Sequence, residues 1–228
     1  MEVRRARGWP GYGPLDWPIE LLAFDVARRG LVVGPADVLC LRPPARRDGP
    51  AFERLRATNG QWLGRWEATL PPESVDERPP KSYKELRRSF LRLARNSYAL
   101  PFLIDLDGEI VGQLTCSPIQ HGALQNGVLG YWLAREHAGR GIMPTAVAMC
   151  VDYIFGHTNL HRIEINIRPE NAPSLRVVDK LGLRCEGTRQ RYMYIDGGWR
   201  DHLSFAVTRE EWPAGGLLRQ LARRGRQR

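Results

Sequence analysis

Hydrophobic spacing along the chain switches between period 2 and period 3.6, and each switch marks an element. Residues 161–167 read His-Arg-Ile-Glu-Ile-Asn-Ile. Ile163, Ile165 and Ile167 fall on one side and Arg162, Glu164 and Asn166 on the other, the pattern of a half-buried strand. Residues 128–133 predict another strand. Residues 38–42 predict the first strand, closed by Pro43-Pro44, and residues 100–106 and 109–116 flank Asp107-Gly108, a strong hairpin signal. Short strands are predicted at 183–185 and 199–207. Helical spacing covers 49–66, broken near Gly60 and Gly64, and 82–96, where Ser82 is the N-cap and Glu85 its capping-box partner. Further helices are predicted at 144–155 and from Asn171 to about Lys180, the last stopped by Gly182. Residues 70–81 read as a proline-rich loop and 118–127 as a polar turn. The first thirty residues are punctuated by Gly8, Pro10, Gly11, Gly13, Pro14 and Pro18, as in an irregular arm, with Trp9, Tyr12 and Trp17 available to pack on the domain. Strands and helices alternate in the second half, as expected of a mixed α/β architecture.

The junction between strand 128–133 and helix 144–155 carries the most specific chemistry. Its sequence is Glu136-His137-Ala138-Gly139-Arg140-Gly141-Ile142. Two glycines allow a tight turn and close backbone approach to a ligand. The following helix presents unpaired N–H groups and the positive end of its dipole, so the unit predicts a phosphate cradle. It is neither a P-loop, since no Gly-Lys-Ser/Thr follows, nor a dinucleotide fingerprint, since no third glycine follows.

With Gly130-Tyr131-Trp132-Leu133, Ala138-Gly139-Arg140-Gly141-Ile142, Asn171-Ala172-Pro173-Ser174, Lys180-Leu181-Gly182-Leu183 and Glu186-Gly187 in this order, the chain resembles the Gcn5-related N-acetyltransferases. Within them it is most similar to the RimJ/RimL group of ribosomal-protein N-terminal acetyltransferases. The resemblance spans roughly residues 31–212. It implies the GNAT acyl-CoA N-acyltransferase fold, a central and mostly antiparallel sheet flanked by helices. One position departs from the broad family, whose loop often opens with Gln or Arg where this chain has Glu136.

The resemblance implies acetyl-CoA as co-substrate and transfer of its acetyl group to a primary amine. The foremost candidate is the N-terminus of a ribosomal protein. The alternatives are a small amine, such as an antibiotic or polyamine, and a non-catalytic acyl-CoA-binding or ribosome-associated module. Backbone groups of Tyr131, Trp132 and Leu133 would hold the pantetheine beside a slot splayed open toward the strand of Glu164, and Ala138, Gly139, Arg140, Gly141 and Ile142 would hold the pyrophosphate. Arg140 adds charge there or is a solvated side chain. Asn171 is both a family cofactor contact and a helix N-cap. Ser174 is the candidate proton donor, because the tyrosine that many relatives carry seven residues after the asparagine is here Val178. Glu164 is the candidate base, or it pairs with Arg162 or another cation. Trp66 and Glu67 lie where relatives receive the substrate, and Tyr192 and Tyr194, with Asp201, could line the peptide entrance.

Composition adds limits. The chain has 228 residues, 43% hydrophobic and 26% charged, enough for one domain with a sizeable core. This divides into an arm (1–30), an acetyltransferase domain (31–213) and a basic tail (214–228). No apolar run has membrane-spanning length and no signal peptide is evident, so no membrane role and a cytoplasmic location are expected. Cys40, Cys116, Cys150 and Cys185 lack metal-site spacing and read as buried free thiols, and no metal is expected. Of the net charge of +9, residues 1–8 carry +2 and residues 214–228 carry +5. The tail is either a weak contact for ribosomal RNA or a solubilising, partly disordered end. The chain is read as a monomer or a homodimer.

Overall fold

Strand β4 (Leu100–Leu106) is buried along its whole length, as only a strand covered on both faces can be, and the sheet extends outward from it. The computed structural model describes residues 1–6, 13–74 and 79–225. On one side of β4 lie β3 (Leu39–Arg42), β2 (Ile19–Ala23) and β1 (Glu2–Arg5). On the other lie β5 (Glu109–Gln120), β6 (Asn126–Leu133), β7 (Arg162–Ile167), β9 (Gly198–Thr208) and, at the edge, β8 (Arg184–Ile195). These strands form one sheet in the order β1-β2-β3-β4-β5-β6-β7-β9-β8. Every neighbouring pair is antiparallel except β6–β7. The predicted class, a mostly antiparallel sheet flanked by helices, is what the chain adopts.

The two faces of β4 separate the helices. Phe102 and Ile104 join the main core, which holds nearly all of α4 (Ile142–His157) and the apolar stripes of α5 (Ala172–Leu181) and α6 (Leu217–Gly225). Leu103 points the other way, into a smaller cluster with Phe52, Tyr83 and Ile110 beneath α1 (Gly49–Thr58) and α3 (Tyr83–Arg95). Between these two helices, α2 (Gly60–Gly64) follows α1 directly, the break anticipated at Gly60.

Several elements depart from the sequence reading. The arm is not irregular where it is described: β1 and β2 lie inside it, with Ile19, Leu21 and Ala23 fully buried. Gly13, Pro14 and Pro18 lie in turns and bends, but the alternation of 19–23 determines its pairing. Buried Trp17 meets Phe102 edge-on, and the Tyr153 hydroxyl donates to the Leu15 carbonyl at 2.7 Å. Trp9 and Tyr12 lie outside the described residues, as does part of the 70–81 loop.

The tail is a docked helix through Gly225. Asp152 of α4 accepts from the N–H groups of Leu217 and Leu218 and from Trp212 Nε1, while Leu217, Leu218 and Ala222 are buried. Arg226 to Arg228 lie outside the described residues. Strand β5 continues past Cys116 through a register shift that accommodates Pro118, which has no N–H for the ladder. Strand β8 is four times the predicted length. Its edge position exposes both faces, so its residues carry no alternation to read.

The Ser82 hydroxyl accepts from Glu85 N–H as predicted, but the Glu85 carboxylate accepts from Lys81 N–H one residue before the cap. Of the four cysteines, only Cys116 and Cys150 are buried; Cys40 is half-buried and Cys185 is exposed on β8. Burial pushes the Cys116 thiol up to about 12 and leaves it chemically quiet.

Candidate active site

A gap in the sheet builds the site. The parallel pairing of β6 with β7 covers only Asn126–Arg162, Gly127–Ile163 and Val128–Glu164. Beyond Val128 the strands part, while β6 stays paired with β5 as far as Leu133. The β7-facing edge of β6 from Gly130 onward is therefore open, and Gly130, Tyr131, Trp132 and Leu133 line a cavity of about 670 Å³. Trp62 bridges over its end, donating from Nε1 to the Leu133 carbonyl at 3.1 Å. Buried Asn59 accepts from Arg135 N–H at 2.8 Å and steadies the exit of β6.

The glycine loop closes one end of the cavity. Gly139 and Gly141 take φ of +81° and +87°, and a Cβ on Gly141 would overlap the Leu31 carbonyl oxygen. The N–H groups of Gly139, Arg140, Gly141, Ile142 and Met143 donate to no acceptor among the described residues. Pro144, inside the first turn of α4, has no N–H to satisfy. Five successive free donors at the start of a sixteen-residue helix are an anion site by geometry and by dipole. The loop is braced from behind. Val33 N–H donates to the Arg140 carbonyl at 2.7 Å, and Thr145 Oγ1 donates to Leu31 and Gly141 carbonyls. The Arg140 guanidinium belongs to the same brace, donating to the Val33 and Pro35 carbonyls and meeting His137.

Helix α5 supplies the facing wall with Asn171, Pro173, Ser174, Arg176, Val177 and Lys180. Asn171 caps it, its Oδ1 accepting from Ser174 N–H at 3.2 Å. The Ser174 hydroxyl shares a 2.8 Å hydrogen bond with the Tyr131 hydroxyl. Burial raises the Tyr131 pKa well above its ordinary value, so the phenol keeps its proton. Sequence reasoning had used Tyr131 only for its backbone and missed this pair, because the contact joins residues 43 apart in the chain. Arg176 and Lys180 were missed as well. Their i, i+4 spacing two residues beyond Ser174 was the available signal.

Other predicted residues are placed differently. Glu164 is not among the cavity-lining residues. Its carboxylate accepts from Arg162 at 2.8 Å and from Arg189 at 2.7 Å, the ion-pair alternative of the sequence reading. Trp66 and Glu67 do line the cavity, with Glu67 bound bidentately by Arg56. Tyr192 and Tyr194 lie on β8, outside the lining residues, where Tyr192 packs on His202 and Tyr194 on Trp199. Asp201 accepts from Arg191 N–H. Among the described residues no cluster of metal-ligating side chains occurs, and no helix is long and apolar enough to cross a membrane.

An anion cradle, an open strand edge for an extended amide-bearing arm, and a protonated hydroxyl pair beside it define an acyl-CoA-type transferase site. The comparisons agree with this class. Residues 38–184 match the family described as Acetyltransferase (GNAT) domain, and the chain belongs to that N-acetyltransferase family. Mycobacterium smegmatis RimJ, solved in complex with CoA-disulfide, is 39% identical with a TM-score of 0.80, covering 92% of this chain and 96% of its own. The Escherichia coli [ribosomal protein uS5]-alanine N-acetyltransferase is 29% identical over 78% of this chain and 92% of its own length. A probable N-acetyltransferase of Bacillus subtilis, YjcK, is 41% identical, but the match spans 44% of this chain and 56% of that protein. The likeness is thus to the RimJ/RimL group, as the motifs implied.

Proposed function

We propose that the chain transfers the acetyl group of acetyl-CoA to the α-amino group of a protein N-terminus, foremost that of a ribosomal protein, in the cytoplasm. The observation that carries this reading is the open β6 edge running from the glycine cradle to the Tyr131–Ser174 pair. The residues present fit a pyrophosphate-bearing thioester: free N–H groups converge at the cradle, and only glycine fits at 141. The acceptor named for the Escherichia coli relative, alanine of ribosomal protein uS5, supports the acceptor class.

Backbone N–H groups from Gly139 to Met143 hold the pyrophosphate, and Arg176 and Lys180 add positive charge from α5. Backbone groups of Tyr131 to Leu133 hold the amides of the pantetheine as a partner strand would. Acetyl-CoA supplies an activated acyl group when bound. Tyr131 and Ser174 keep a proton at Ser174 Oγ for the leaving thiolate. Exposed Arg219 and Arg223 of α6 are the proposed weak contact with ribosomal RNA.

The test is thiol release from acetyl-CoA with peptides copying ribosomal-protein N-termini, each beside an N-blocked control. Turnover of free N-termini alone is expected. Ser174→Ala should lower kcat by about 10²-fold, and Tyr131→Phe by less, the range of a lost general acid. Unchanged kcat in both would remove the pair from the chemistry. Turnover confined to small amines, or acetyl-CoA binding with no turnover at all, would favour the alternative readings.

A further inference from the structure

The acceptor side of the cavity is walled by tryptophans, and each carries a guanidinium. Arg56 lies 5.3 Å from the Trp132 ring centre, Arg65 lies 4.7 Å from Trp66 and 5.8 Å from Trp62, Arg135 lies 6.0 Å from Trp62, and Arg168 lies 5.3 Å from Trp66. Trp62, Trp66 and Trp132 all line the cavity, so these four cations lie against its tryptophan wall, although none of them is itself a lining residue. Among the described residues, two carboxylates pair with them. Glu67, the one acidic side chain among the described lining residues, is taken by Arg56 through both oxygens. Glu170, 64% exposed, pairs with Arg168. Arg65 and Arg135 are exposed and have no carboxylate partner among the described residues.

A rim with excess positive charge acts on the acceptor in two ways. It repels polycations and attracts carboxylates on the way in. It also disfavours a positive charge on an amine held within it, lowering that amine's pKa. An α-amine, titrating near pH 8, then becomes neutral at physiological pH with little help, whereas a lysine or polyamine nitrogen near 10 does not. This matters because Glu164 is bound by two arginines and Glu67 by one.

Resting on the N-terminal acetyltransferase reading above, we infer that the preferred acceptor is an acidic peptide N-terminus. Its α-amine enters the slot, and carboxylate side chains within its first few residues sit on Arg65 and Arg135 at the tryptophan-walled mouth. A guanidinium held over an indole ring still has N–H donors for such pairing.

The experiment measures kcat/KM by thiol release with three peptides sharing an N-terminal alanine, followed by acidic, neutral amide or basic residues, and with spermidine. The acidic peptide should exceed the neutral one by about tenfold and the basic one by more, consistent with two exposed ion pairs. Raising salt should shrink the ratio. The double variant Arg65→Gln with Arg135→Gln should bring the acidic-to-neutral ratio near one, with its melting temperature and acetyl-CoA binding checked for intactness. Equal rates on acidic and neutral peptides, or a preference for the basic one, would overturn the inference while leaving N-terminal acetylation standing. Turnover of spermidine alone, or of nothing, would overturn both.

Discussion

Gly141 holds φ +87° with the Leu31 carbonyl where a Cβ would stand. Gly141→Ala therefore combines a left-handed residue, costing roughly 1–2 kcal/mol, with displacement of the brace behind the cradle. Weaker acetyl-CoA binding by calorimetry and a lower melting temperature are expected; binding unchanged within a factor of two would count against the cradle. Glu164 makes the opposite case, a residue whose type suggests chemistry and whose surroundings suggest position. Glu164→Gln removes the charge between Arg162 and Arg189 and should cost about 1–3 kcal/mol of stability, as for a weakened charged hydrogen bond. The rate should fall by less than tenfold, with the shape of the pH–rate profile kept. A loss near 10²-fold with a flattened acid limb would make it the base. The sequence offered both roles for Glu164, because alternation assigns a side chain to a face and says nothing of what meets it there.

At the scale of elements, the latch between α4 and α6 is the feature least legible from composition. Residues 214–228 hold five arginines and no acid, which reads as a tail. Leu217, Leu218 and Ala222 nevertheless share one helical face, and Asp152 accepts both leading N–H groups. The carboxylate stands in for an N-cap side chain supplied from another helix. Burial raises the Asp152 pKa against the opposing effect of these hydrogen bonds. Asp152→Ala should cost about 1–2 kcal/mol and free α6 specifically, seen as faster amide exchange at residues 217–225 with the β4–β5 hairpin unchanged. Uniform loss of protection across the sheet would mean that the latch supports the whole core.

Over the whole molecule, an ion-pair chain runs Arg189–Glu164–Arg162–Glu186–Arg184–Glu211 across the β7–β9–β8 end of the sheet. Hydrogen bonds from Arg162, followed by those from Arg184, hold the Glu186 carboxyl at about 2. Its stabilising contribution is therefore present above the ordinary value of 4.5 and lost as pH falls toward 2. Buried His202 has its pKa lowered, chiefly by desolvation. The unfolded chain then takes up a proton more readily than the native one, and stability is lost as pH falls below 6.5. The melting temperature should decline as pH falls below about 6.5 and fall more steeply below about 4.5. A rise on acidification from pH 7 to 5 would contradict this account.

What the sequence determined by itself was local. Period-2 and period-3.6 spacing placed the central strands and helices, capping chemistry placed Ser82 and Asn171, and the spaced glycine, asparagine and Lys-Leu-Gly motifs placed the family and its cradle. Such signals lie within one element or one turn, where backbone geometry alone sets the relation between neighbours. Tertiary structure decided the rest: that Tyr131 meets Ser174, that Glu164 is consumed by two arginines, that four guanidiniums gather on three tryptophans, and that the arm and tail join the fold. Each of these joins residues far apart in the chain, and such partners are set by the packing of the sheet and its helices rather than by spacing.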